Sequence, residues 1–384
     1  MFSLKNIYSK CRNCIAKIYH NLLPFRNVIV FESLPDLSDN SKAVFDEMIQ
    51  RGMNNKYTMV WAVDGDPDSF PKIPNVVYYN KKDANQLRQY GRVCVRAKCL
   101  ISCNGFLASC RLFQPSFYLN HGSPLKRTRG LYDPPKGITY FLAAAPGFLD
   151  MLCEELNTPK NKFFTLGFPR NDALTGSRQN IKNFFNGEFK KIIVWYPTYR
   201  QHKIGFRTAS QHALPIIYDE ECAKLLNDAA KNSQVLIVVK PHFVQDVSYI
   251  QTAGLSNIQF IDDDFYKDHG ISPYAFIGSC DALITDYSSI YYDYTLCNKP
   301  IAAVWEDIEE YKQKPGLIDA YEYYMAGAEK VYTIEDLIGF IQRVADDVDL
   351  LANDRRKIRD LVNYSTDGQN ARRVVDFIVA KAKL

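Results

Sequence analysis

Acidic residues are missing from the first 26 positions of this chain, where five bases (Lys5, Lys10, Arg12, Lys17 and Arg26) stand alone. No stretch anywhere approaches the roughly 18–20 consecutive apolar residues that a membrane-spanning helix needs. The N-terminus also lacks the unbroken apolar core of a secretory leader, because Lys5, Lys10, Arg12 and Lys17 interrupt it. The expectation is a protein that stays in the cytoplasm. Cys11 and Cys14 form a CxxC with no second pair to complete a zinc site, and the ten cysteines are scattered, mostly inside apolar runs. They read as buried free thiols in a reducing compartment. No clustered His/Cys/Asp ligand set stands out, so no tightly bound metal is expected. A net charge of +4 suits phosphates or acidic lipid but is too small to argue for nucleic acid, and no basic–aromatic stripe supports it.

What is present is a globular composition, 47% hydrophobic and 23% charged, over 384 residues, enough for two domains. Residues 1–26 place Leu4, Ile7, Tyr8, Cys11, Ile15, Ile18, Tyr19 and Leu22 at helical spacing, with the bases opposite. Such a basic amphipathic helix either lies in the interface of an anionic bilayer or packs on the protein's own body. After Pro24, short apolar runs alternate with helical segments. Asn27–Phe31, Thr58–Val63, Asn75–Tyr79, Cys99–Ser102 and Ser116–Leu119 read as strands, with helices at 40–52 and 82–92. The pattern restarts with strands at Lys191–Tyr196, Gln234–Val239, Asn257–Ile261, Cys280–Thr285 and Pro300–Val304, and helices at 219–231 and 334–345. Apolar strands alternating with helices imply parallel sheets covered on both faces. The spacing therefore predicts an N-terminal unit over 27–172, a C-terminal unit over 190–348, and closing helices over 349–384 that cross back to brace the two.

Polar clusters fall where these strands should end, which is where open α/β sheets bind ligands. His121 follows an apolar strand and precedes Gly122, which permits close backbone approach. Its side chain can take a proton near neutral pH. Lys240-Pro241-His242 repeats the arrangement in the second half. Asp286-Tyr-Ser288-Ser289 ends a third strand where a helix begins, offering hydroxyls and free N–H groups to a phosphate, and Asp286 and Asp293 flank it. Arg170 offers a bidentate phosphate grip, and Thr198 and Arg200 follow a fourth strand with a hydroxyl and a guanidinium. Each of these also has an ordinary structural explanation: a hydrogen-bonded histidine, an N-cap, a solvated arginine.

Taken together, His121-Gly-Ser-Pro-Leu-Lys126, Gly167-Phe-Pro-Arg170-Asn-Asp172, Tyr196-Pro-Thr198-Tyr-Arg200, Lys240-Pro-His242 and Thr285-Asp-Tyr-Ser-Ser289-Ile-Tyr-Tyr-Asp293 resemble the ordered motif set of the CDP-glycerol glycerophosphotransferases of teichoic acid and capsule synthesis. Gly316–Asp319 and Val331–Leu337 resemble that family's closing region. The chain departs in Ser123, where Thr is commoner, and Tyr199, where Trp is commoner. The resemblance implies a GT-B fold of two Rossmann-like domains facing across a cleft, a CDP-alcohol donor, and peripheral attachment to the cytoplasmic face of the membrane. It implies donor contacts from His121, Gly122, Ser123, Pro124, Leu125, Arg170, Pro197, Thr198, Lys240, Pro241, His242, Ser288, Ser289 and Asp293; on the chemistry of the residues themselves, His121 and His242 are the expected catalytic pair, with Asp286 and Arg200 supporting.

The expected reaction moves a polyol phosphate, glycerol phosphate foremost, from the CDP-activated donor to a hydroxyl of a lipid-linked glycan or polyol-phosphate acceptor, releasing CMP without a tightly bound cofactor. Two alternatives stay open: a GT-B glycosyltransferase using a nucleotide sugar, and a non-catalytic membrane-surface binding protein. The donor polyol, primase against polymerase action and oligomeric state are not legible.

Overall fold

A computed structural model describes residues 18–127, 133–198, 214–241, 254–314 and 316–384, together with the backbone of a short hairpin at 201–202 and 205–206. The N-terminal helix proposed over 1–26 thus lies largely outside the described residues, as do Tyr199, Arg200 and His242.

Seven parallel strands form the first sheet: β1 (Val28–Glu32), β2 (Thr58–Val63), β3 (Val76–Asn80), β4 (Cys99–Ser102), β5 (Ser116–Tyr118), β6 (Tyr140–Ala143) and β7 (Phe163–Thr165). Their order is β3-β2-β1-β4-β5-β6-β7, with Val30 beside both Val60 and Leu100. The second sheet contains β8 (Lys191–Trp195), β9 (Val235–Val239), β10 (Ile258–Phe260), β11 (Ala282–Thr285), β12 (Ile301–Val304) and β13 (Glu329–Val331). It runs β10-β9-β8-β11-β12-β13, again all parallel. Every residue of β9 is buried, as a strand covered on both faces requires. Both sheets reverse strand direction of growth at their centre, between β1 and β4 and between β8 and β11. Such a switch point opens a crevice at the carboxyl ends of the strands.

Helices cover the sheets and start on side-chain caps. Asp83 Oδ1 accepts the N–H groups of Asn85 and Gln86 at the head of Ala84–Arg96, and Thr333 and Asp336 form a reciprocal capping box on Ile334–Ala345. The final helix, Asn370–Ala382, returns to the first sheet. Asp172 accepts N–H groups from Asn370 (2.9 Å) and Ala371 (2.7 Å), and Phe377 stacks on Phe164 at 4.2 Å between ring centres. Gly167 turns under this junction with φ +78°, and a Cβ there would lie 2.3 Å from Asn370 Oδ1. The eight described cysteines are free thiols. No described helix is long and apolar enough to cross a membrane.

Candidate functional site

The site assembles where the carboxyl ends of the two sheets meet. After β5, Leu119 donates its N–H to Ser102 (2.7 Å), and Asn120 takes a left-handed conformation with φ +57°. This kink sends His121 out of the sheet. The next residues reach the other lobe: Tyr292 donates its hydroxyl to the Pro124 carbonyl (3.3 Å), Lys126 pairs with Leu317 as an antiparallel bridge, and Arg127 forms an ion pair with Asp319. Gly122 lies so close to Ser289 that an added Cβ would stand 2.4 Å from its Oγ and 3.1 Å from its Cβ. The histidine loop of the first lobe and the serine turn of the second are therefore in contact.

The His121 ring is exposed on one side and held on the other. Nδ1 lies 3.2 Å from the Cys103 carbonyl and 3.2 Å from the Tyr118 hydroxyl. A carbonyl can only accept, so this contact requires a proton on Nδ1 and leaves Nε2 as the basic nitrogen. Protein packed around the held side disfavours the charged ring and lowers its pKa below the ordinary histidine value. The Asp39 carboxylate pulls upward against this, and Arg170 adds to the lowering.

Arg170 is buried and committed on both sides. Nη1 donates to Asp39 Oδ1 (2.6 Å) and to the His121 carbonyl (2.8 Å), while Nη2 donates to Asp293 Oδ2 (2.8 Å). Its guanidinium lies 5.0 Å from the Tyr274 ring centre, a cation–π distance. Burial works against its charge, but Asp39, Tyr274 and Asp293 outweigh that and hold it protonated. Asp293, itself buried, also accepts from Asn171 Nδ2 (2.9 Å) and the Tyr274 hydroxyl (2.8 Å). This network ties the end of the first lobe to the second. Arg170 was expected to grip a phosphate, yet the structure places its terminal nitrogens on two carboxylates and a carbonyl.

In the second lobe, the segments leaving β8 and β11 lock together across the switch point. Asp286, fully buried, accepts the Thr198 N–H on both oxygens (3.1 and 2.9 Å) and the Tyr287 N–H (2.6 Å). Pro197 and Thr198 are buried beside it. Ser288 and Ser289 follow, and Ser289 makes no capping hydrogen bond to the short helix Ile290–Tyr294. Lys240, at the end of β9, pairs with Asp263 at 3.1 Å, next to Pro241. Ser123 and Leu125 are buried, and the Ser123 Oγ finds no hydrogen-bond partner among the described residues. Of the residues singled out by sequence, the structure thus brings together His121, Gly122, Arg170, Ser289 and Asp293, and separately Thr198 with Asp286. No described residues form a metal-holding cluster.

Sequence reasoning missed Asp39, Asn40 and Tyr274. Asp39 and Asn40 sit at the head of a helix, where Asp and Asn are ordinary, and only the fold carries them to the His121 loop. A weak signal existed: an Asp-Asn pair that opens the helix following β1, at the switch point of the first sheet.

Comparison with known proteins bears on the family and the fold. Over 259 residues the chain is 25% identical to the teichoic acid glycerol-phosphate primase of Bacillus subtilis (strain 168), covering 66% of this chain and 60% of that relative. Over 345 residues it is 24% identical to the teichoic acid poly(glycerol phosphate) polymerase of Bacillus spizizenii, covering 80% and 82% of the two chains. Its fold superposes on the structure of the wall teichoic acid polymerase TagF with a TM-score of 0.76 at 19% identity, over 100% of this chain and 99% of that one, which makes it a GT-B-like arrangement of two α/β units. Residues 15–380 match the family described as CDP-glycerol:poly(glycerophosphate) glycerophosphotransferase, and the chain belongs to that family.

Proposed function

We propose that this protein transfers glycerol phosphate from CDP-glycerol to a hydroxyl of a membrane-linked teichoic-acid-type acceptor, releasing CMP. The observation that carries the proposal is the contact between the His121-Gly122 loop and Ser289, which joins the crevices of two switch-point sheets into one site. One supplies a base, and the other supplies hydroxyls and N–H groups suited to a diphosphate.

In the proposed step the acceptor O–H bond breaks, its proton passes to His121 Nε2, and the oxygen bonds to the β-phosphorus. The bond from that phosphorus to the bridging oxygen breaks, and its electron pair leaves with CMP. General-base help of this kind contributes about 10²–10⁴-fold, and positioning and electrostatics carry the rest. Ser288, Ser289, Ser123, Lys240 and His242 would face the phosphates, with Thr198 and Pro197 beside the nucleotide. Pro124, Leu125 and Pro241 shape the walls, and Arg200 follows Thr198 in the same Tyr196–Arg200 motif. Arg170 and Asp293 act by holding the lobes and the His121 carbonyl. The family's name and the solved TagF structures soaked with CDPG support the donor assignment.

The same proposal places the enzyme on the cytoplasmic face of the membrane. Residues 18–26 dock beside the loop at 110–113, where Leu112 donates its N–H to Asn21 Oδ1 (2.8 Å) and Arg111 donates to the Leu23 carbonyl (2.6 Å). Ile18, Tyr19, Leu22, Leu112 and Phe113 remain exposed there. No acid occurs between Ala84 and Tyr132. An exposed apolar patch on a segment that carries bases and no acid suits an anionic bilayer.

The test is His121→Ala assayed for CMP release from CDP-glycerol with a lipid-linked acceptor. A loss of at least 100-fold is expected; a rate within threefold of wild type removes His121 as the base.

A further inference from the structure

The His121 loop is fixed from behind by two adjacent residues that the transfer reaction does not otherwise use. Asn40, fully buried, donates through Nδ2 to the carbonyls of Leu119 (3.2 Å) and Asn120 (2.9 Å) and accepts the Arg170 N–H on Oδ1 (3.1 Å). Asp39 Oδ1 accepts Arg170 Nη1 at 2.6 Å, and the same Nη1 donates to the His121 carbonyl at 2.8 Å. Three successive carbonyls, those of residues 119, 120 and 121, are thus captured by Asn40 and by the guanidinium that Asp39 holds. Asp39 occupies a left-handed conformation with φ +59°, which an L-residue adopts at a cost and retains only where its surroundings enforce it.

Charge adds a second argument. One guanidinium stands between two carboxylates, Asp39 and Asp293, with side chains 14% and 3% exposed. One cation thus serves two carboxylates, next to a ring that must become positive. The groups facing His121 among the described residues are Asp39 from helix Asp39–Gln50, Arg170 from the turn after β7, Tyr118 from β5 and Cys103 after β4. Asp293 and Tyr274 of the second lobe lie behind Arg170. Asp39 is the acid in direct electrostatic contact with the ring, and its field favours the protonated form.

We infer that Asp39 is a positioning residue of the transfer reaction: it fixes the His121 loop through Arg170, and its negative charge offsets the positive charge His121 gains with the acceptor proton. This rests on the proposed role of His121 as base. Two linked effects follow from one carboxylate. Removing the charge weakens proton acceptance in the transition state, and releasing Arg170 loosens the His121 carbonyl, where a displacement of about 1 Å costs about 10²-fold.

The test compares Asp39→Asn and Asp39→Glu with wild type, using CDP-glycerol and a lipid-linked glycerol-phosphate acceptor across pH. Asp39→Asn is expected to lower kcat at least tenfold while KM for CDP-glycerol stays within threefold. The acid limb of kcat/KM, which reports the free enzyme's base, should move to lower pH because a field that raised the His121 pKa is gone. Asp39→Glu keeps the charge, so its acid limb should stay at the wild-type position, with kcat between the two. A kcat for Asp39→Asn within twofold of wild type, or an acid limb that does not move, overturns the inference. If Asp39→Asn does not fold, Asp39→Glu decides: a shifted limb or an undiminished kcat is the overturning result. Failure of the base assignment shows separately, as retained activity in His121→Ala.

Discussion

Gly122→Ala puts the lobe contact under direct test. The new Cβ would lie 2.4 Å from Ser289 Oγ and 3.1 Å from Ser289 Cβ. An ordinary carbon–oxygen contact is about 3.3 Å or longer, so the hydroxyl must give way by about 1 Å. Rotating the serine moves Oγ aside, yet the Cβ contact still demands a few tenths of an ångström and the hydroxyl leaves its place at the turn. The backbone is not the obstacle, since Gly122 does not require a left-handed conformation. Stability should therefore change by no more than about 2 kcal/mol, the range of mild overpacking. Activity should fall about 10–100-fold, because misplacement near 1 Å at reacting groups has that effect. The assay is CMP release together with urea unfolding of the same preparation. Combining the change with Ser289→Gly removes the opposing atoms, so the double variant should lose little beyond Ser289→Gly alone. A single variant within twofold of wild type, or strictly additive losses, would refute the contact.

Two further outcomes concern the frame around the site. Arg170→Ala leaves Asp39 and Asp293 buried without their shared cation, and breaking such a pair costs about 3–5 kcal/mol; a urea-unfolding loss below about 1 kcal/mol would contradict the clamp. Lys330 sits under Trp305, 4.4 Å from its ring centre, and burial pushes its pKa down to about 7 against a weaker upward pull from Glu322. Between about pH 7 and pH 10 the unfolded chain then holds a proton that the folded chain lacks, so this lysine makes stability rise with pH. Lys330→Met should remove that slope, and unfolding curves whose difference from wild type is flat with pH would contradict it.

Much of the fold was legible because buried parallel strands are nearly continuous apolar runs. Val235–Val239 and Thr58–Val63 read as strands for that reason, and both lie within one residue of their expected bounds. Strands β6, β7 and β13 were not foreseen. They are three or four residues long, too short to establish a strand period, and Glu329–Val331 also opens on two charged residues. At the site, strand-end histidine and serine motifs were visible because function there needs residue types that a strand end does not. Asp39 and Asn40 were hidden because their types suit a helix start, and their role arises from contacts 79 to 131 residues away in sequence. Arg170 was seen, but its burial between carboxylates was not, since nothing local distinguishes a guanidinium facing a phosphate from one facing Asp39 and Asp293.

The most direct measurement follows both halves of the donor. The protein is incubated with CDP-glycerol labelled in the glycerol and a lipid-linked acceptor, and nucleotide and polymer products are quantified together. One CMP should appear for each glycerol phosphate joined to the acceptor. Release of CDP, or label that never reaches the acceptor, would contradict transfer at phosphorus between these two lobes.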